Sequence, residues 1–227
     1  MALKVCQLCA VDFTLKHFLL PLIDRMEKEG WIVISVCSDG PNIAELRANG
    51  YNIEPVYIER SFNLFRHFKS VLVLTRYFKQ QQFDIVHVHS PIAALIARIA
   101  AHLASVPTVI YTAHGFYFHD EMPTLKRSVF LWLEKWAGQF TDILFTQSRE
   151  DAEIAKLEKL VPENAVYAIG NGVDPEKFNP KKIGNGMKTR KSLGIPNDAF
   201  VIGIIARLFQ EKGICEFLDA AIQAAAI

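Results

Sequence analysis

Two short segments hold four histidines: His87 and His89 in FDIVHVHSP (83–91), and His114 and His119 in YTAHGFYFH (111–119). Each segment ends a β-branched run that reads as a strand, and open parallel α/β sheets bind ligands at the carboxyl ends of their strands. His87 and His89 are two residues apart, so a strand turns both to one face. A neutral imidazole donates one hydrogen bond and accepts another, which suits a sugar hydroxyl. Two imidazoles on one face also suit a metal ion, with His114 or His119 as a third ligand, but no carboxylate cluster completes such a set and no metal is assigned. Packing inside the sheet with both ring nitrogens bonded locally is the alternative, and it fits His87 best. His114-Gly115 is the sharpest feature, because glycine lets backbone beside the ring come close to a ligand, although the same dipeptide also serves as a plain turn.

A second chemistry is suggested by ARLFQEKG (206–213), where Arg207 and Lys212 fall on a loop leading into a helix. A helix amino terminus already favours anions, so two cations there suit a diphosphate; two solvated surface charges are the alternative. Asn171-Gly172 is first of all a turn. Cys6 and Cys9 have redox spacing but lie at the end of a strand, away from the helix start that would lower a thiol pKa, and no redox role is assigned. A helical stripe of Leu125, Val129, Trp132, Leu133, Trp136 and Phe140 reads as core packing. With Lys126, Arg127 and Lys135 beside it, it also suits a membrane surface.

These residues need elements to position them. Strands are expected at 3–8, 31–37, 53–58, 84–89, 108–112, 142–146 and 165–169, with helices at 15–29, 41–50, 63–82, 91–105 and 123–140 and one capped by Ser148. Short apolar strands alternating with helices predict an α/β, Rossmann-like, doubly wound parallel sheet. This first domain closes near 173. A Pro- and Gly-rich linker is expected over 174–198, then a new strand at 200–206 and a helix at 213–226 within a third segment, 199–227. That lone strand and helix cannot bury their apolar faces, so Ile214, Phe217, Leu218 and Ile222 are expected to be exposed and to favour self-association.

The 227 residues are 51% hydrophobic and 22% charged, as in an ordinary globular protein. Lys and Arg total 25 against 24 Asp and Glu, so no global field draws nucleic acid. Cys6, Cys9, Cys37 and Cys215 suit reduced thiols in the cytoplasm. Residues 1–13 lack the apolar run of a signal peptide, and the most apolar helix, 91–106, is broken by Arg98 and His102 and is too short to span a bilayer.

Taken in order, the motifs at 83–91, 111–119, 171–174 (NGVD) and 206–213 resemble the retaining glycosyltransferases of GT-B fold and family-4 type, especially bacterial polysaccharide and capsule sugar transferases. The resemblance implies the first half of a GT-B fold, with the acceptor-side domain followed by the start of the nucleotide-sugar domain. It implies sugar transfer with retention from a nucleotide-diphosphate sugar to a saccharide or lipid-linked acceptor, with no cofactor. His114 takes the catalytic position, holding the donor sugar, and Arg207 and Lys212 take the place of the pair that neutralises the diphosphate. Thr14, Lys16, His89, Gly115 and His119 take places as acceptor or sugar contacts. Two departures stand out. The loop 10–16 lacks the glycines that let backbone reach a phosphate in many members, and the chain stops before the region carrying the family's donor-binding glutamates. The expectation is therefore a shortened, poorly active form, cytoplasmic and at the inner face of a membrane; the alternative is an acceptor-binding module completed by a partner chain.

Overall fold

Seven consecutive strand-forming runs zip into one sheet, and every neighbouring pair is parallel. The computed structural model describes residues 2–58, 64–119, 122–183, 186–209 and 212–225. They divide into two compact units, Met1–Asn171 and Gly172–Ile227.

In the first unit the strands are β1 (Lys4–Val11), β2 (Ile32–Ser38), β3 (Ile53–Pro55), β4 (Ile85–His89), β5 (Thr108–Ala113), β6 (Ile143–Thr146) and β7 (Val166–Ala168), in the order β3-β2-β1-β4-β5-β6-β7. The chain builds outward from β1 to β3, then crosses back to lay β4 on the other side of β1. The carboxyl ends of β1 and β4 thus form the switch point where doubly wound sheets open a ligand crevice. Helices cover both faces, so the central strands are mostly apolar, and Val5, Cys6, Leu8, Cys9, Val86 and Val88 have no exposure; buried Gln7, His87, His89 and Thr112 are the polar exceptions in them.

Two carboxylates set where pairing starts. Lys4 N donates to Asp84 Oδ2 at 2.8 Å while Asp84 N donates to Lys4 O at 2.9 Å. Val109 N donates to Asp142 Oδ2 at 2.7 Å and Asp142 N returns a bond to Val109 O at 2.9 Å. Each aspartate precedes its strand and exchanges two hydrogen bonds with the adjacent strand.

The remaining elements are α1 (Asp12–Thr14), a π-helical turn (Leu15–Leu19), α2 (Leu20–Lys28), α3 (Ile43–Ala48), α4 (Leu64–Gln81), α5 (Pro91–Leu103), α6 (Thr124–Gly138), α7 (Arg149–Leu157) and a 3-10 turn (Glu163–Ala165). The single helix expected at 15–29 is divided because Pro21 has no N–H to continue the α ladder, and the wider π pattern lies just before it. Strand β3 stops at Pro55, short of the expected 58, and Ser38 Oγ instead accepts the Ile58 N–H at 3.1 Å. Ser148 caps α7 as expected, accepting from Asp151 N at 2.9 Å.

Helix α6 turns a different face inward from the one expected. Of the expected stripe, Leu125, Val129 and Trp132 are exposed and Leu133, Trp136 and Phe140 are half-buried, while Glu134 and Ala137 are buried and Phe130 packs against the core. Buried Arg98 of α5 draws Glu134 inward to 2.8 Å, and the face carrying residues 130, 134 and 137 follows it.

In the second unit, α8 (Pro180–Ile183) and α9 (Met187–Ser192) occupy part of the stretch expected to be an irregular linker. The expected strand at 200–206 does not form, because a strand exists only where a neighbour shares its ladder and no described segment of this unit pairs with it. Its apolar side chains lie open, Phe200 and Ile205 most of all. Helix α10 (Ile214–Ala225) forms as expected and leaves Leu218 and Ile222 exposed, with Ile214 and Phe217 half-buried.

Candidate functional site

Polar residues within β1, β4 and β5 and just past β5 and β6 join into one hydrogen-bonded line. Gln7 of β1 stands in register with His87 of β4, and His89 with Thr112 of β5. His87 Nε2 lies 2.7 Å from Thr112 Oγ1, and His87 Nδ1 lies 3.2 Å from Gln7 Nε2. Gln7 Oε1 is 2.9 Å from His89 Nε2, and His89 Nδ1 is 3.2 Å from His114 Nε2. Gln147, just past β6, closes the line with its Nε2 at 2.6 Å from His114 Nδ1.

Depth decides the charge of these rings. Gln7, His87, His89 and Thr112 are buried, whereas His114 and Gln147 are only partly so. Burial lowers His87 to about 3, with nearby His114 adding to the effect. Burial, then the neighbouring imidazoles, holds His89 well below the ordinary range. His114 is also lowered by burial. All three are neutral at pH 7, so each has one donor and one acceptor nitrogen.

Of the expected site residues, His89 and His114 are in direct hydrogen-bond contact. His89 does not reach the surface as an expected contact residue would; the strand's alternation turns it inward between β1 and β5, behind His114. His87 packs with both nitrogens bonded locally, as the alternative of packing inside the sheet expects. Gly115 has φ +98°, which turns the chain out of β5 directly after His114. Past it, Phe116 and Phe118 stack at 5.1 Å, and buried Phe118 anchors the loop, leaving His119 exposed. On the β1 side, Thr14 lies in α1, and Lys16 is held by Glu45 Oε2 at 2.6 Å and Asn42 Oδ1 at 3.2 Å. In the second unit the Arg207 guanidinium lies 5.0 Å from the Phe209 ring centre, and Lys212 N donates to Phe209 O at 3.0 Å.

Three residues escaped the sequence reading. Gln7 had a signal, a lone amide inside the apolar strand KVCQLCAV. Gln147 had only its position after a strand. Asp12 accepts from Phe13 N at 2.9 Å and from Asn42 N and Nδ2, both at 2.8 Å, which ties the end of β1 to the turn after β2. Burial works against its charge, yet these bonds prevail and hold its carboxyl below the usual range. Among the described residues no group of three or more His, Cys, Asp or Glu is arranged to hold a metal, and no helix is long and apolar enough to cross a membrane.

Residues 17–177, which hold both histidine motifs and every strand after β1, match Glycosyltransferase Family 4. The chain belongs to that family. It is 38% identical over 162 residues to the Escherichia coli UDP-Gal:alpha-D-GlcNAc-diphosphoundecaprenol alpha-1,3-galactosyltransferase, covering 71% of this chain and 42% of that protein. Against the Staphylococcus aureus capsular polysaccharide biosynthesis glycosyltransferase CapM the identity is 30% over 203 residues, covering 87% and 52%. The chain thus spans about half the length of the curated relatives it matches. Two solved structures share the fold of this family-4 chain. The glycosyltransferase from Rickettsia africae ESF-5 has a TM-score of 0.74 at 17% identity, over 98% of this chain and 57% of that one. Anabaena Alr3699/HepE, solved with UDP and glucose, has a TM-score of 0.71 at 20% identity, over 97% and 58%.

Proposed function

We propose that this chain is the acceptor-side part of a glycosyltransferase that moves a sugar, with retention, from a nucleotide-diphosphate sugar to a saccharide or lipid-linked acceptor in polysaccharide or cell-surface glycan synthesis. The observation that carries the reading is the neutral His114 at the carboxyl end of β5, backed by a buried hydrogen-bonded line in a family-4 chain. Diphosphate leaves readily once its charge is compensated, so the protein's tasks are positioning and electrostatics. In this reading His114 holds a hydroxyl of the donor sugar, and Gly115 and His119 border it. Thr14 and Lys16 face the acceptor side, and Arg207 and Lys212 neutralise the departing diphosphate. The reaction belongs in the cytoplasm, where nucleotide sugars are made, at the inner face of a membrane; the exposed Leu125, Val129 and Trp132 beside Lys126 support that placement.

Calorimetric titration of UDP and of GDP into the chain tests the donor site. Weak binding that is lost in both Arg207→Ala and Lys212→Ala is expected, and no binding at millimolar nucleotide overturns it. The exposed Leu218 and Ile222 of α10 favour a second reading, a non-catalytic acceptor-binding module completed by a partner chain. It predicts acceptor binding without nucleotide binding.

A further inference from the structure

The line from Thr112 to Gln147 has a direction, and that direction dictates what His114 can recognise. A neutral imidazole must donate at one nitrogen and accept at the other, so fixing one hydrogen in a row of neutral rings and amides fixes them all. The fixed point is Gln7, whose Nε2 also lies 3.3 Å from the Met26 sulfur. A thioether only accepts, so the Gln7 NH2 group faces Met26 and His87, and its carbonyl faces His89. His87 therefore accepts at Nδ1 and donates from Nε2 to Thr112 Oγ1. His89 donates from Nε2 to Gln7 Oε1, which leaves its Nδ1 bare to accept from His114 Nε2. His114 is left with a bare Nδ1, and the Gln147 NH2 group meets it at 2.6 Å. The Gln147 amide, at the end of the line, lies the same way round as Gln7 within it.

We propose that Gln7, fully buried and two imidazoles away from the crevice, is a positioning residue that sets His114 as the Nε2–H tautomer, so that Nδ1 is an acceptor reserved for a ligand hydroxyl. Gln147 is the stand-in for that hydroxyl: its NH2 group meets Nδ1 and is displaced when a donor group arrives. The site thereby selects by hydrogen-bond sense. A neutral sugar offers O–H and is accepted, whereas a carboxylate or phosphate oxygen has only lone pairs to offer a bare nitrogen and is refused. A crevice closed by an outward N–H would have the opposite preference. The inference rests on the reading of His114 as a ligand contact, but the tautomer itself can be read with no ligand present.

The test is a long-range 1H–15N correlation spectrum of the histidine-labelled chain at pH 7, with the His114 signals assigned by their loss in His114→Gln. The expected result is neutral His87, His89 and His114, each protonated at Nε2. In Gln7→Met the acceptor for His89 is gone, and His114 should lose its single tautomer. In Gln7→Glu a carboxyl oxygen still accepts from His89, so His114 should keep Nε2–H while His87 gains a proton at Nδ1. A wild-type His114 protonated at Nδ1, or one unchanged in Gln7→Met, overturns the proposal. The wild-type spectrum decides the tautomer even where a variant does not fold. Failure here leaves the nucleotide titration untouched, and failure of that titration leaves the tautomer untouched.

Discussion

Arg98 and Glu134 meet at 2.8 Å with side chains only 2% and 9% exposed, joining α5 to α6 inside apolar surroundings. The guanidinium also lies 4.3 Å from the Tyr111 ring centre and donates from Nε to Ala94 O at 3.2 Å. Removing one partner strands a buried charge. Glu134→Ala should lower unfolding stability by about 3–5 kcal/mol, whereas the paired Arg98→Met, Glu134→Leu variant should lose far less. Urea unfolding of the single and double variants checks this, and equal losses would count against the pair.

Acidification should destabilise the fold through the buried imidazoles. Folded His87 stays neutral down to about 3, and His89 is likewise held low by burial. The unfolded chain takes up protons below the ordinary imidazole value of about 6.5, so below that pH it binds more protons than the folded one. Stability is full above that value and is lost as pH falls toward 3, by about 1.4 kcal/mol per pH unit for each such histidine. Urea midpoints measured between pH 7.5 and 5 should fall steadily; a flat profile would contradict neutral burial.

A side chain on Gly40 would run into the Asp12 carboxylate, so the turn after β2 and the end of β1 are matched to each other. Asp12→Ala should cost about 1–3 kcal/mol by orphaning the Asn42 and Phe13 donors. Gly40→Ala should cost about 1–3 kcal/mol by crowding. Because the clash disappears with the carboxylate, the double variant should lose clearly less than the sum. Additive losses in thermal unfolding would separate the two sites.

Thiol chemistry should be confined to one cysteine. Cys6, Cys9 and Cys37 are buried, and Cys215 is exposed. Burial pushes the Cys6 thiol up, and the Cys37 side chain and burial push up Cys9, so neither gives thiolate at neutral pH. Mass spectrometry after brief iodoacetamide treatment of the native chain should find one label, on Cys215. Rapid labelling of Cys6 or Cys9 would show that β1 opens.

The open stripe on α6 should bind anionic vesicles. Leu125, Val129 and Trp132 are 81%, 49% and 62% exposed, with exposed Lys126 and Lys135 on the same helix. Sedimentation with vesicles containing acidic lipid should carry the chain down at low salt, and Leu125→Glu with Trp132→Glu should release it several-fold. No sedimentation of the wild type removes membrane contact from the proposed function.

The sheet was legible because each strand is an apolar run between helices whose period is plain, and the histidine motifs lie where strands end. What misled was partnership. The run at 200–206 has every local property of a strand, yet no described segment of its unit pairs with it. The aromatic stripe on α6 has every property of a core face, yet one ion pair from α5 chooses a different face. Gln7 and Gln147 could not be placed from sequence, since amides have no spacing rule and acquire meaning only from the rings they meet in space.

Asp84 and Asp142 touch no imidazole, yet they govern the site. Each exchanges two hydrogen bonds with the neighbouring strand before its own strand begins. A one-residue slip of β4 against β1 would orphan the Asp84 carboxylate and the Lys4 amide together. Because side chains alternate along a strand, the same slip would send His87 and His89 to the opposite layer of the molecule. The acid at the foot of the strand is thus a register lock that decides which side of the sheet can have a binding face at all.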